Sequence, residues 1–208
     1  MGTKGQETQE RLLAAAEAMI LDTGYAGMSL DALLQDTGLT KGAFFHHFKS
    51  KADLARRVLE RYARNDLDMF RDWNQRAERL SDDPLQQVDI FLRLFEEFLD
   101  AQEAPPPGCI FASYTYERHQ FEDEVRASIE DSLEQWMVIF ESRFEAVIAA
   151  CPPRQPVNAR TLAEQLVSTI EGGFVMANAL NDAGWNQRQL AAFRQHLQLL
   201  FAPDAKKS

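Results

Sequence analysis

The sequence predicts an all-α fold. Three observations carry this. Apolar residues recur at the three- and four-residue spacing of helices through most of the chain, no stretch alternates apolar with polar as a half-buried strand does, and the eight prolines stand mostly at joints. At 208 residues the chain is long enough for one large or two small domains with a substantial core.

Residues 1–5 read as a disordered lead. A helix follows from about Gln6 to Thr23, with Leu12, Leu13, Ala16, Met19 and Ile20 on one face and Gly24 as its stop. Ser29 can cap a short helix from Leu30 to about Asp36, where Leu30, Leu33 and Leu34 share a face. Gly38 supplies a turn that tolerates positive φ, and Thr40 caps a second short helix, Lys41 to about His47, whose Phe44 points back at the leucines together with Phe48. Two short helices joined by a glycine-bearing turn make a helix-turn-helix, whose second helix such folds place in the DNA major groove.

A long helix then runs from about Ser50 to Arg79 with Leu54, Val58, Tyr62, Phe70 and Trp73 as its stripe and neither Gly nor Pro inside it. Asp82-Asp83-Pro84 opens the next, about Pro84 to Gln102. The run Ala104-Pro105-Pro106-Pro107-Gly108 reads as a rigid hinge before a short apolar segment, Cys109 to Tyr114. Glu122-Asp123-Glu124 starts a helix to about Ala149, Cys151 to Pro156 is a joint, and two helices close the chain, about Ala159 to Asn181 and about Gln187 to Phe201. Gly172-Gly173 lies inside the first of these. Glycine there costs about 1 kcal/mol per residue, so the pair predicts a close approach by another helix or a ligand.

The second short helix exposes Thr40, Lys41, Gly42 and Ala43 as small or polar positions and Phe45, His46 and His47 as bulkier ones, with Lys49 and Lys51 beyond it at a helix start suited to phosphate. The stretch TGLTKGAFFHHFKSKADL resembles, nearly position for position, the signature of the tetracycline-repressor (TetR) family of bacterial regulators. The resemblance fixes together the turn Gly, the Lys-Gly pair, the aromatic run and the Phe-Lys-Ser-Lys exit. Many members carry Ala where Leu34 and Thr37 stand, and the family usually carries Tyr where Phe45 stands, so here the ring remains and its phosphate hydrogen bond is lost.

The resemblance implies an N-terminal three-helix DNA-binding domain over residues 1–50, followed over 51–208 by a larger helical effector-binding and dimerisation domain, about nine helices in all. The expected DNA contacts are Ser29, Thr40, Lys41, Gly42, Ala43, Phe45, His46, His47 and Lys51. The helices that such regulators use around an effector cavity carry Phe91, Phe95, Phe98, Phe111, Tyr114, Trp136, Phe140 and Phe174, with Asn178 as a polar point. Cys109 joins this set, because the Gly108-Cys109 element after the proline hinge resembles one subgroup of the family, some of whose members sense reactive small molecules; burial as a small hydrophobe is its other reading. The last two helices are expected to pair in a four-helix dimer interface through Leu162, Leu166, Ile170, Phe174, Ala177, Phe193 and Leu197.

The net charge of −10 supports a localised reading head. Residues 1–57 hold seven Lys/Arg and seven Asp/Glu, whereas residues 58–208 hold 15 and 25, which accounts for the whole excess. Acidic bulk repels DNA from everywhere but the helix-turn-helix. No stretch approaches the roughly eighteen apolar residues of a membrane span, the N-terminus has no signal-peptide core, and Cys109 and Cys151 are too few for a disulfide framework, so a cytoplasmic location without membrane contact is expected. There is no phosphate-cradling glycine loop, no Cys-x-x-Cys and no His/carboxylate cluster at metal-ligand spacing; adjacent His46 and His47 face different directions, and His119 and His196 stand alone. No cofactor, metal or enzymatic activity is expected. The function implied is a homodimeric transcriptional regulator, a repressor that a small, largely apolar or reactive molecule releases from a pseudo-palindromic operator in double-stranded DNA. The alternatives are a helical ligand carrier or enzyme without a DNA role, and a dimer that uses the helix-turn-helix for protein contacts.

Overall fold

The computed structural model describes residues 3–101 and 108–201. Among them are nine α-helices, one 3-10 turn and no strand: α1 Thr3–Gly27, α2 Leu30–Thr37, α3 Lys41–His47, α4 Lys51–Leu80, α5 Pro84–Asp100, α6 Ile110–Tyr116, the turn Arg118–Gln120, α7 Asp123–Ala150, α8 Ala159–Leu180 and α9 Trp185–Phe201. The chain forms two compact units. One holds the described parts of Met1–Asp66 and Pro107–Ser132, the other those of Leu67–Pro106 and Leu133–Ser208.

In the first unit, α1 begins earlier than its apolar pattern predicts, so residues 3–5 are helical rather than part of a disordered lead. Gly24 kinks α1 instead of ending it. Its backbone takes φ 76, ψ 167, a combination that suits glycine, and the helix resumes for one more turn to Gly27. That turn starts with amides that lack helical partners. The carboxylate of Glu117, just past α6, accepts the Ala26 N–H at 2.8 Å and so closes the break from outside. The apolar segment expected from Cys109 to Tyr114 falls on the helix α6, Ile110–Tyr116, and the prolines of the hinge before it lie outside the described residues. Leu12, Ala16, Ile20, Leu33, Phe44, Phe48, Leu54 and Val58 form the core of this unit. Tyr114 is fully buried there: its hydroxyl donates to the Ala55 carbonyl at 3.0 Å and its ring stacks on Phe121.

In the second unit α5, α8 and α9 pack together, and rings from α4, α5 and α7 fill the space beside them. Phe70 meets Trp136 at 5.1 Å and Phe91 at 5.8 Å, Phe91 meets Phe140 at 5.6 Å, and Trp73 meets Phe95 at 5.3 Å. Asp83 caps α5 by accepting the Leu85 N–H, and Asn158 caps α8 by accepting the Thr161 N–H. Asn181 ends α8 in the left-handed region at φ 50. The guanidinium of Arg194 on α9 clamps α5, donating to Asp89 at 2.8 Å and to both oxygens of Glu96 at 2.8 and 2.9 Å.

Candidate nucleic-acid interface

Each end of the short helices α2 and α3 is held by local chemistry. Ser29 accepts the Ala32 N–H at 3.1 Å, and Thr40 accepts the Ala43 N–H at 3.2 Å. Between them Gly38 takes the left-handed conformation, φ 65, ψ 24, and the Leu39 N–H returns to the Leu34 carbonyl at 3.1 Å. Leu33, Leu34, Phe44 and Phe48 are buried beneath the pair. Burying this side of α3 turns the other outward: Lys41, Gly42, Phe45 and His46 are exposed, Ala43 and His47 half-buried. Phe45 is 55% exposed, an unfavourable place for a phenyl ring unless it meets a partner.

The predicted contact residues therefore share one surface, though not all are free. Lys41 Nζ pairs with Asp31 at 3.0 Å, both side chains well exposed. The His46 and His47 rings lie 5.1 Å apart, edge to face, and burial together with the charge of His46 holds His47 below the ordinary histidine range. Gly42 meets nothing closer than the Thr40 hydroxyl at 3.8 Å, so its own chain does not require a glycine there. Ser29 and Thr40 each accept one N–H as a cap and keep the hydroxyl proton to donate. Lys51 is placed differently from the phosphate role expected of it: its ammonium sits 4.3 Å above the Tyr25 ring. Burial lowers its affinity for a proton and nearby Glu117 opposes that. Lys49 is the exposed cation of the two. At the same helix start Ser50 accepts the Asp53 N–H and Asp53 accepts the Lys49 N–H, a reciprocal cap that puts a carboxylate where phosphate was expected.

The expected effector set does not line one cavity. Phe91, Phe95, Trp136 and Phe140 do converge in the second unit, but as packed core: the space beside Phe91 and Phe140 is about 10 Å³, less than a ligand needs. Phe98 is 43% exposed beside Trp73 and Phe95. Cys109, Phe111 and Tyr114 are core residues of the first unit, with Phe111 edge-on to Tyr62. Phe174 is buried, while Asn178 is exposed and turns its amide to its own helix, donating to the Phe174 carbonyl at 3.0 Å. Aromatic periodicity marks burial, and here close packing uses up the volume. A groove of about 440 Å³ lies instead between α4 and α7, lined by residues the periodicity does not single out, Asn74 and Arg143 among them.

The expected dimer residues need a similar correction. Leu162, Leu166, Ile170, Ala177 and Leu197 are 0–3% exposed, and Phe174 and Phe193 are 9% and 7%, all within a single chain. Their burial comes from packing within the one chain, where α9 lies against both α8 and α5. The outward side of α8 instead shows Ser168, Gly172, Val175, Met176, Ala179 and Leu180, and that of α9 shows Ala192 and Leu199. Val175, Met176, Leu180 and Leu199 are large apolar residues left exposed in the single chain, and they fall outside the buried stripe that the periodicity follows.

Fold and head together define a class: an all-α protein with an N-terminal helix-turn-helix. The comparisons place it further. Residues 12–58 match the family described as bacterial regulatory proteins, tetR family, and residues 84–193 match the tetracyclin repressor-like C-terminal domain. The chain belongs to the TetR family. It is similar to the transcriptional regulator AcuR of Cereibacter sphaeroides, 28% identical over 127 residues, which are 61% of this chain and 56% of that protein. It is also similar to the transcriptional repressor NemR of Escherichia coli, 28% identical over 127 residues, 60% of each chain. The match thus spans less than two thirds of these relatives. A TetR-family regulator from Agrobacterium tumefaciens shares the fold at TM-score 0.79 and 24% identity, covering 95% of this chain and all of that one.

Proposed function

We propose that the chain is a cytoplasmic, homodimeric transcriptional repressor that leaves its operator when a small molecule binds. Residues 1–50 act as the reading head and 51–208 as the effector-binding and dimerisation part. One observation carries the reading: capped at both ends and seated on buried Phe44 and Phe48, α3 presents Lys41, Gly42, Phe45 and His46 on a single open face. Two such heads would read half-sites in successive major grooves about 34–36 Å apart, and the outward faces of α8 and α9 would join the copies. The effector acts through its differential affinity for the DNA-bound and free states. The test is a titration of the full chain with duplex DNA from upstream of its own gene and with random duplex, at several salt concentrations. Tight, salt-dependent binding to the first and weak binding to the second is expected; equal affinity for both overturns the reading.

A further inference from the structure

The α4–α7 groove, about 440 Å³, falls in the size range of small-molecule sites. On its lining stands Asn74, only 8% exposed, and no hydrogen bond holds its carboxamide among the described residues. An amide that opens onto a groove without a protein partner is free to hydrogen-bond a ligand there.

Two guanidiniums stand beside it. Arg143 forms an ion pair with Glu78 at 2.6 Å, and Arg71 pairs with Asp68 across one turn of exposed helix, so most of the five donors on each guanidinium stay available. The carboxylate in the wall, Glu134, is already taken: Arg160 holds both its oxygens at 2.7 Å each. What the groove offers a visitor is therefore guanidinium and amide N–H donors. It also offers hydrocarbon, from Ile139 and from Val138, which is 54% exposed. Asn74 and Arg143 border as well the small space against Phe91, Phe140 and Phe144, so a molecule held by them bears directly on the aromatic core.

We propose that this groove is the effector site and that it takes a monocarboxylic acid with a short hydrocarbon or aromatic body. The carboxylate lies between Arg143 and Arg71 within reach of the Asn74 amide, and the body covers Val138 and Ile139. An inorganic anion would leave the apolar wall uncovered, and a neutral alcohol would accept fewer of the N–H donors than a carboxylate does. Only the effector role rests on the regulatory reading; binding itself is tested apart from it. Calorimetry on the full chain uses hexanoate and benzoate, with hexan-1-ol and inorganic phosphate as controls. The acids should bind about tenfold or more tighter than either control, and Asn74→Asp and Arg143→Gln should each weaken them about tenfold. Both variants should keep the wild-type circular dichroism spectrum and affinity for DNA. The alcohol or phosphate binding as tightly as the acids, no binding of either acid, or unchanged acid binding in both variants overturns the site. Failure of the unliganded chain to bind any DNA overturns the regulatory reading instead and leaves the calorimetric result standing. Acid binding with no effect on DNA affinity overturns the effector role of the groove.

Discussion

The side-chain oxygen of Asn186 lies so close over Gly173 that a β-carbon on the glycine would stand 1.5 Å from it. Asn186 opens α9 and Gly173 lies deep in α8, so the contact marks where the two helices come nearest. Asn186 is 2% exposed, and neither its oxygen nor its nitrogen has a hydrogen-bond partner among the described residues. The adjacent Gly172 meets nothing within 4 Å. The close approach expected of the pair thus belongs to one glycine and comes from the chain's own last helix.

Gly173→Ala should displace Asn186 and push α9 outward, a loss of about 1–3 kcal/mol. Gly172→Ala should gain up to about 1 kcal/mol from helix propensity alone. Urea unfolding at protein concentrations low enough to separate copies measures both. Adding Asn186→Ala should return much of what Gly173→Ala loses, because the two positions share one space and their effects cannot add. Equal stabilities for the two glycine variants would mean that α9 yields freely.

The dimer prediction follows from which side of α8 and α9 stays open. Met176→Glu and Leu199→Glu place a charge on the outward face, where Met176 is 38% and Leu199 70% exposed in one chain. Each should yield folded monomers by sedimentation, with helical content kept and DNA affinity lost. Phe174→Glu buries a charge without a partner inside the chain, costs about 3–5 kcal/mol, and should unfold or aggregate instead. A Leu199→Glu protein that sediments as the wild-type dimer would move the interface off this face.

At the reading head the cations should divide into two kinds. Lys41→Ala should cost about 1–3 kcal/mol on the specific site and little on random DNA. Asp31→Ala, which frees Lys41 from its 3.0 Å pair, should strengthen binding to all sequences. Lys49→Ala should lower the salt slope by about one contact. Lys51→Ala should reduce thermal stability more than it changes that slope, since its ammonium rests on Tyr25. A salt slope that falls with Lys51→Ala and not with Lys49→Ala would restore the phosphate role to Lys51.

These contrasts show what could be read before folding. The caps Ser29 and Thr40 and the turn glycine Gly38 were legible because each acts on a backbone group within a few residues. Helix order was legible from periodicity, and α6 was not, since a seven-residue helix after prolines leaves too short a pattern. Phe140 and Leu166 were legible as apolar and buried. Periodicity cannot say whether the neighbour across the gap is a ligand, a second copy or the same chain, and for both residues it is the same chain. Asn74 and Arg143 carry no local signal at all. What makes a groove beside the Asn74 amide is the packing of α7 along α4, an element far from it in sequence.

The acid limit of stability should be set in part by Asp89. Burial raises its carboxyl, but hydrogen bonds and charge from Arg93 and Arg194 outweigh that and hold it below the ordinary carboxylate range. A depressed carboxylate stabilises the fold fully above its unfolded value, near 3.8, and loses that contribution as pH falls through the lower folded value. The expected window therefore opens below about pH 4. Asp89→Asn should cost about 1–3 kcal/mol at pH 7, where the charged hydrogen bonds from both arginines are weakened while Glu96 still holds Arg194. The variant should also lose less stability than the wild type between pH 4 and pH 2.5, because one carboxylate fewer has to take up a proton against its partners. Urea unfolding across that range measures the difference. Parallel stability curves for the two proteins would show that Asp89 keeps the same proton affinity folded and unfolded, and the clamp between α5 and α9 would then have to draw its strength from Glu96.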